Sequence, residues 1–196
     1  KEPNKMSNVF TIALLIGFVA ATVIAPFVIP LLTKLKFGQS ILEIGPKWHQ
    51  KKSGTPTMGG IIFMLALTIA VLFCHKSMGT KAYLVLFCSL GFGLIGFLDD
   101  FIKVVLKRNL GLRAWQKLAL QIIVSVIFVI FGLEHGLFDM SIKIPFTSFE
   151  WGMGLLYIPF AVFVLLGTVN AVNLTDGVDG LATSLTIITL LFFAVA

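Results

Sequence analysis

Acid is what this chain withholds. Only nine of its 196 residues are Asp or Glu, and charged residues of both signs together reach 12%. Hydrophobic residues supply 58%, and the mean hydropathy is +1.01. A soluble domain of this length has no interior large enough to hide so much apolar surface, so the composition excludes one and implies an integral membrane protein. Cysteine is scarce too. Cys74 and Cys88 both lie in apolar runs and read as small hydrophobes, with a spacing that points to neither a metal site nor a redox pair. No separate signal peptide is expected, because the first apolar run is too long for an h-region and has no A-x-A-like cleavage site behind it. The net charge of +6 is explained by membrane topology, with no nucleic-acid partner implied.

What is abundant fits the same medium. Glycine (18) and phenylalanine (19) suit closely packed helices with lipid-facing aromatics. A bilayer core takes about 20 apolar helical residues, with about 17 as the lower limit. Charge-free runs then place six spans, at Val9–Leu32, Thr57–Cys74, Ala82–Leu98, Leu118–Leu133, Gly154–Val169 and from Leu181 onward. Pro26 and Pro30 are expected to kink the far end of the first. The fourth is short and reads as beginning inside the loop before it, and the last is still apolar at Ala196. We therefore expect an all-α membrane protein, one domain over residues 1–196, incomplete at its C-terminus.

Loop charges orient the spans. Residues 33–56 carry Lys34, Lys36, Lys47, Lys51 and Lys52 against Glu43, and residues 99–117 carry Lys103, Lys107, Arg108, Arg113 and Lys117 against Asp99 and Asp100. The opposite side holds Lys76 and Lys81 in one loop, and Lys143 against Glu134, Asp139 and Glu150 in the other. Excess Lys and Arg stay cytoplasmic, which puts the N-terminus outside. An outer loop contains the alternating stretch Met140–Phe146, expected as a short hairpin or edge strand because Pro145 argues against a central one. Trp115 and Trp151 read as interfacial anchors, and His75 and His135 as solvated interface histidines.

Against this background, three polar segments on the expected cytoplasmic side need an explanation. The first, residues 45–60, reads Gly-Pro-Lys-Trp-His-Gln-Lys-Lys-Ser-Gly-Thr-Pro-Thr-Met-Gly-Gly. Lysines and hydroxyls run into a glycine pair that opens a helix, where unpaired N–H groups and the dipole favour phosphate. Positive-inside charge accounts for the lysines but not for the Thr-Pro-Thr-Met-Gly-Gly. The second segment opens with Asp99-Asp100 and closes with Lys117. Adjacent carboxylates repel, and ionisable groups at a membrane boundary are costly, so the pair needs a cation. An i,i+4 pairing with Lys103 explains one aspartate. The two side chains point about 100° apart on a helix, so a single lysine stripe is not expected to serve both.

The third segment is Asn170-Ala171-Val172-Asn173-Leu174-Thr175-Asp176-Gly177-Val178-Asp179-Gly180. It reads as a tight turn between two spans, with Asp176 and Asp179 on one face if helical. A helix cap absorbs Asp179 but leaves Asp176, Asn170 and Asn173 unexplained, and the spacing of a calcium loop is absent. Together the segments describe a site for phosphates and a divalent metal. Magnesium suits them, since it takes one or two carboxylates plus phosphate oxygens.

These motifs, in this order and spacing, resemble the polyprenyl-phosphate N-acetylhexosamine-1-phosphate transferases, and within them the phospho-N-acetylmuramoyl-pentapeptide transferases (the MraY family). The resemblance implies a ten-helix enzyme of the bacterial plasma membrane, acting as a homodimer with its site on the cytoplasmic face. Its reaction is the Mg²⁺-dependent transfer of phospho-MurNAc-pentapeptide from UDP to undecaprenyl phosphate, giving lipid I and UMP. It implies catalytic roles for Asp99, Asp100 and Lys117, with both aspartates at the metal and a further ligand beyond this chain. Lys52, Thr57, Asn170, Asn173, Leu174, Asp176, Gly177 and Asp179 are the implied substrate-binding residues. Without the downstream ligand, these 196 residues alone are expected to be inactive. A related UDP-N-acetylhexosamine transferase and a lipid or anion carrier are the alternatives. A carrier would place its charges mid-span rather than at one face.

Overall fold

The computed structural model describes residues 3–34, 57–106, 110–144, 147, 149–178 and 180–195. These form five helices, α1 (Pro3–Lys34), α2 (Gly60–Val105), α3 (Ala114–Glu134), α4 (Tyr157–Thr175) and α5 (Leu181–Val195), and a two-stranded hairpin, β1 (Ser141–Lys143) and β2 (Glu150–Gly152). Among the described residues, five segments are long and apolar enough to cross a membrane: Val9–Lys34, Gly60–Ser77, Gly79–Val105, Ala114–Glu134 and Gly154–Thr175. The expected sixth span is the shorter apolar helix Leu181–Phe193.

Two expected spans share α2, which breaks at Gly79 (φ 66°, ψ −171°). That backbone conformation is essentially reserved for glycine. Helix therefore runs up to the break from both sides, where an ordinary loop was expected around Lys76 and Lys81. Helices also run past the ends of their charge-free runs. The third span continues from Leu98 to Val105, the fourth starts at Ala114 rather than Leu118, and the fifth ends at Thr175 rather than Val169. The reason is that charge marks the edge of the apolar medium, whereas a helix continues wherever its backbone bonds continue.

Two compact units emerge, Lys1–Val124 and Ser125–Ala196. In the first, α1 packs along α2. Met58, Ile62, Ala66, Ala70 and Cys74 are buried, one every fourth residue, which is the ridge spacing of a helix packed into a neighbour's groove. Ala70 faces Gly17, and a methyl there would sit 3.8 Å from the alanine Cβ. Gly93 lies against Met64, and Gly91 against Val124. Small residues at such contacts let membrane helices approach closely, where apolar burial alone gives no drive. Hydroxyls are satisfied within their own helices, as Thr22 donates to the Phe18 carbonyl at 2.8 Å and Thr68 to Met64 at 2.7 Å. Outward faces carry Phe27, Phe63 and Phe73, all exposed, as lipid-facing helices require.

In the second unit, Phe138 packs on Gly132, with ring centroids 6.0 Å from Phe128 and 6.2 Å from Tyr157. The cluster ties the end of α3 to the start of α4. The hairpin pairs Ser141 with Gly152, Ile142 with Trp151 and Lys143 with Glu150. Ser141 Oγ donates to Glu150 Oε1 at 2.8 Å. The expected strand forms over Ser141–Lys143, while Pro145 and Phe146 lie outside the described residues. His75 Nδ1 is 2.7 Å from the Leu72 carbonyl and His135 Nδ1 2.9 Å from that of Phe131, both exposed. Cys74 and Cys88 are free thiols.

The two glycine contacts of α2 differ in what they meet. A Cβ on Gly91 would come within 2.8 Å of the stiff, β-branched Val124, whereas one on Gly93 would meet the flexible end of Met64. Gly91→Ala is expected to destabilise the protein by about 1–3 kcal/mol, the usual cost of overpacking. Gly93→Ala is expected to stay within about 1 kcal/mol, as the thioether swings aside and helix propensity improves. Thermal unfolding in detergent, with both variants beside the parent, measures the difference.

Candidate functional site

The aspartate pair lies in the last turns of α2, inside the helix rather than in the loop after it. Lys103 Nζ sits 2.7 Å from Asp99 Oδ2 and 2.9 Å from Asp100 Oδ1. The expectation that one lysine cannot serve both aspartates is therefore wrong. Residues at i+3 and i+4 both overlie the turn before them, so a single ammonium at position 103 reaches the gap between neighbours at 99 and 100. Its three donors and flexible stem cover the angle that separates the carboxylates.

The two aspartates are not equivalent. Asp99's side chain is 14% exposed and Asp100's 37%. Asp99 Oδ1 accepts a second bond, 2.8 Å from the backbone N–H of Leu112. That donor belongs to the segment Leu110–Arg113, which enters α3. Gln116 fixes the entry, its Oε1 accepting from the Arg113 N–H at 3.0 Å, the reach-back half of a capping box. One residue further on is Lys117, whose charge acts on Asp99. The first unit thus brings Asp99 and Asp100 together with Lys103 and sets the Leu112 N–H on Asp99, with Lys117 in the first turn of α3.

Thr57 belongs to the same end of this unit. The two halves of α2 run antiparallel, with Met64 against Gly93. Seven residues back from Met64 is Thr57, and six ahead from Gly93 is Asp99. Between Thr57 and the helix, Met58 has φ 69° and is buried. A side chain held in the left-handed region costs roughly 1–2 kcal/mol, and such strain tends to gather at functional segments. Lys52 lies outside the described residues, as does most of the first motif.

The third motif is split by the end of α4. Asn170, Asn173 and Leu174 are helical, and the expected turn begins only at Asp176, the C-cap (φ −76°, ψ 9°). Asn170 Nδ2 donates to the Leu166 carbonyl at 2.8 Å, and Thr175 Oγ1 to that of Val172 at 2.8 Å. Asp176 lies just past the helix's last residue, and Asp179, the other half of the expected shared face, lies outside the described residues. Asp176 and Gly177 are exposed, and Leu174 is 83% exposed. No basic residue sits in the last turn of α4, so Asp176 caps the negative end of the helix dipole with no basic neighbour in that turn.

Among the described residues, no three His, Cys, Asp or Glu side chains group as a metal site. The adjacent carboxylates of Asp99 and Asp100 fit magnesium nonetheless. That ion takes one or two carboxylates and completes its shell with water and phosphate oxygens, and the Lys103 ammonium shows that positive charge is held between them. Sequence reasoning missed Lys103 as a site residue, although its i+3/i+4 spacing was readable. Gly111, Leu112 and Gln116 carried no comparable signal, because their roles depend on how a loop returns to Asp99.

Comparison with known proteins places these residues in context. The glycosyl transferase family 4 model matches residues 82–196, and phospho-N-acetylmuramoyl-pentapeptide-transferase signature 1 matches residues 52–64. A Clostridium kluyveri protein named phospho-N-acetylmuramoyl-pentapeptide-transferase is 49% identical over 182 residues, covering 93% of this chain and 57% of that protein. Proteins of the same name from Heliobacterium modesticaldum and Geobacillus sp. are similar. The former is 49% identical over 97% of this chain and 58% of its own length. The latter is 46% identical over 90% of this chain and 55% of its own length. The chain thus spans little more than half the length of these relatives.

The shared ammonium has a measurable consequence. Lys103→Met is expected to strip two neighbouring anions of the cation they share and to loosen the end of α2. Amide exchange over residues 99–106 should quicken by up to about fivefold, since ~1 kcal/mol is the ceiling for a part-exposed pair once solvent screening is counted. Adding Asp100→Asn in the same chain should return most of the protection, because the repulsion is then gone.

Proposed function

The chain belongs to glycosyl transferase family 4, and from that premise we propose that it carries part of the site that transfers phospho-MurNAc-pentapeptide from UDP-MurNAc-pentapeptide to undecaprenyl phosphate, releasing UMP and forming lipid I. The observation that carries the reading is the Asp99–Asp100 pair, clustered with Lys103 and Lys117 at one end of a membrane helix hairpin. The name shared by the similar proteins supports the choice of sugar, as does the signature over residues 52–64. In this reading the N-terminus is outside and the aspartates face the cytoplasm, which the lysine and arginine bias of the loops supports. A ten-helix fold and a homodimer, both implied by the resemblance, belong to the same proposal.

The chemistry follows from the groups present. An oxygen of the lipid phosphate attacks the sugar-bearing phosphorus of the diphosphate. A P–O bond forms there, the bond to the UMP oxygen breaks, and UMP leaves. Asp99, braced and little exposed, takes the proton of the attacking phosphate. Asp100, more open, would hold Mg²⁺ together with it. Mg²⁺, when bound, neutralises the diphosphate and makes UMP a better leaving group. Lys117 and Lys52 hold phosphate oxygens as point charges, and Lys103 would yield the carboxylates to a bound cation. Thr57 lies at the same end of the hairpin. Asn170, Asn173, Leu174, Asp176, Gly177 and Asp179 form the nucleoside side. The exposure of Leu174 supports that assignment, since an apolar side chain in the open can cover a ligand's flat face. Direct attack needs no covalent aspartyl intermediate, because a phosphate dianion is itself the nucleophile.

The test uses the protein expressed from its complete coding sequence, supplied with UDP-MurNAc-pentapeptide and undecaprenyl phosphate. UMP release is expected to stop on EDTA treatment and return with Mg²⁺, and Asp99→Asn should lower the rate at least ~100-fold, the low end for a positioned base. Wild-type release without magnesium, or full activity of Asp99→Asn, overturns the reading. Equal release from UDP-GlcNAc would point instead to a related N-acetylhexosamine transferase.

A further inference from the structure

We propose that Gly111 is a positioning residue for Asp99. By carrying no side chain, it lets the Leu110–Arg113 segment lie against that aspartate, so that the Leu112 N–H fixes the direction of its carboxylate. The inference rests on the role given to Asp99 above.

Three observations carry it. A Cβ built on Gly111 falls inside van der Waals contact with the Asp99 backbone carbonyl and Oδ1, and 2.8 Å from Cγ. The carbonyl belongs to a helix and cannot move aside, so any side chain at 111 must push the segment away from Asp99. Backbone conformation does not explain the glycine, because Gly111 is absent from the positive-φ glycines. Space does. Finally, the segment is anchored at its other end by the Gln116–Arg113 bond, so a push at 111 cannot be absorbed by sliding along α3.

The consequence is a carboxylate held on both oxygens by different parts of the chain. Leu112 N–H holds Oδ1 at 2.8 Å and Lys103 Nζ holds Oδ2 at 2.7 Å. The lysine is a long, mobile side chain that an incoming cation can replace. The backbone donor is not. When Lys103 lets go, the Leu112 N–H still keeps Asp99 from turning, and Gly111 is what allows Leu112 to be there. Gly96, three residues before Asp99 on the same helix, has nothing within 4 Å of its Cβ position and serves as a control.

The experiment compares wild type, Gly111→Ala, Gln116→Ala, Asp99→Ala and Gly96→Ala in the complete protein, with two readouts. Amide exchange of residues 110–113 does not depend on turnover. It should rise about tenfold in Gly111→Ala and in Asp99→Ala and stay at the wild-type rate in Gly96→Ala. Steady-state UMP release should show kcat falling between about 10-fold and 100-fold in Gly111→Ala, with KM for the UDP-sugar within about twofold of wild type. Gln116→Ala, which adds no volume near Asp99, should show the same pattern at smaller size and covers the case in which Gly111→Ala does not fold. Unchanged exchange at 110–113 in both Gly111→Ala and Asp99→Ala overturns the proposal, as does a wild-type kcat in Gly111→Ala. If wild type releases no UMP, the functional reading fails, and the exchange data alone decide the brace.

Discussion

One ammonium between two carboxylates is the interaction on which the candidate site depends. Asp99 and Asp100 are neighbours near the end of an apolar helix, where each raises the cost of the other's charge. Lys103 meets both within 3 Å. This arrangement holds the charges in place without cancelling their use. The two carboxylates are held close together, which is the arrangement that a divalent cation or a phosphate proton requires. A hydrophobic replacement for the trio would pack as well and do no chemistry.

The packing of the first unit serves that cluster. Gly79 turns the chain back on itself, the two halves of α2 align with Gly93 against Met64, and Gly91 meets Val124 of α3. Each glycine removes a side chain where two helices must meet, so backbone spacing is set by absence of volume. The result is that the Thr57 end of one span and the Asp99 end of the next arrive together, and α3 begins close enough for its entry segment to bond to Asp99. The same device recurs at Gly111, where the missing side chain admits a loop instead of a helix. Close approach by small residues is therefore both how this unit packs and how its polar cluster is assembled.

Much of this was legible in the residues alone. The six apolar runs and a short strand within residues 140–146 follow from charge-free stretches and alternation, and the cost of charge at a membrane boundary singles out the aspartate pair. The helix ends did not. Runs free of charge mark where the apolar medium stops, and α2 and α4 carry Asp99, Asp100, Asn170 and Asn173 beyond that boundary on unbroken backbone bonds. The pairing of both aspartates with Lys103 was misjudged because angles around a helix were weighed without the length of a lysine stem. Gly111 and the Leu112 N–H were out of reach for a different reason. Nothing local marks them, and their meaning appears only once a segment thirteen residues downstream returns to Asp99.

The fold also makes two chemically identical groups unequal. Asp99 is the more enclosed of the pair and is bonded by a backbone donor and a lysine, whereas Asp100 is more exposed and shares only the lysine among the contacts seen here. A group that must accept a proton from one direction gains from being fixed, because the fixed geometry removes the orientational search from the reaction. A group that must join a cation's shell gains from being open, because water and phosphate oxygens have to enter beside it. Sequence places the two aspartates side by side with no means of telling them apart. The loop that lies on one and leaves the other uncovered supplies the difference.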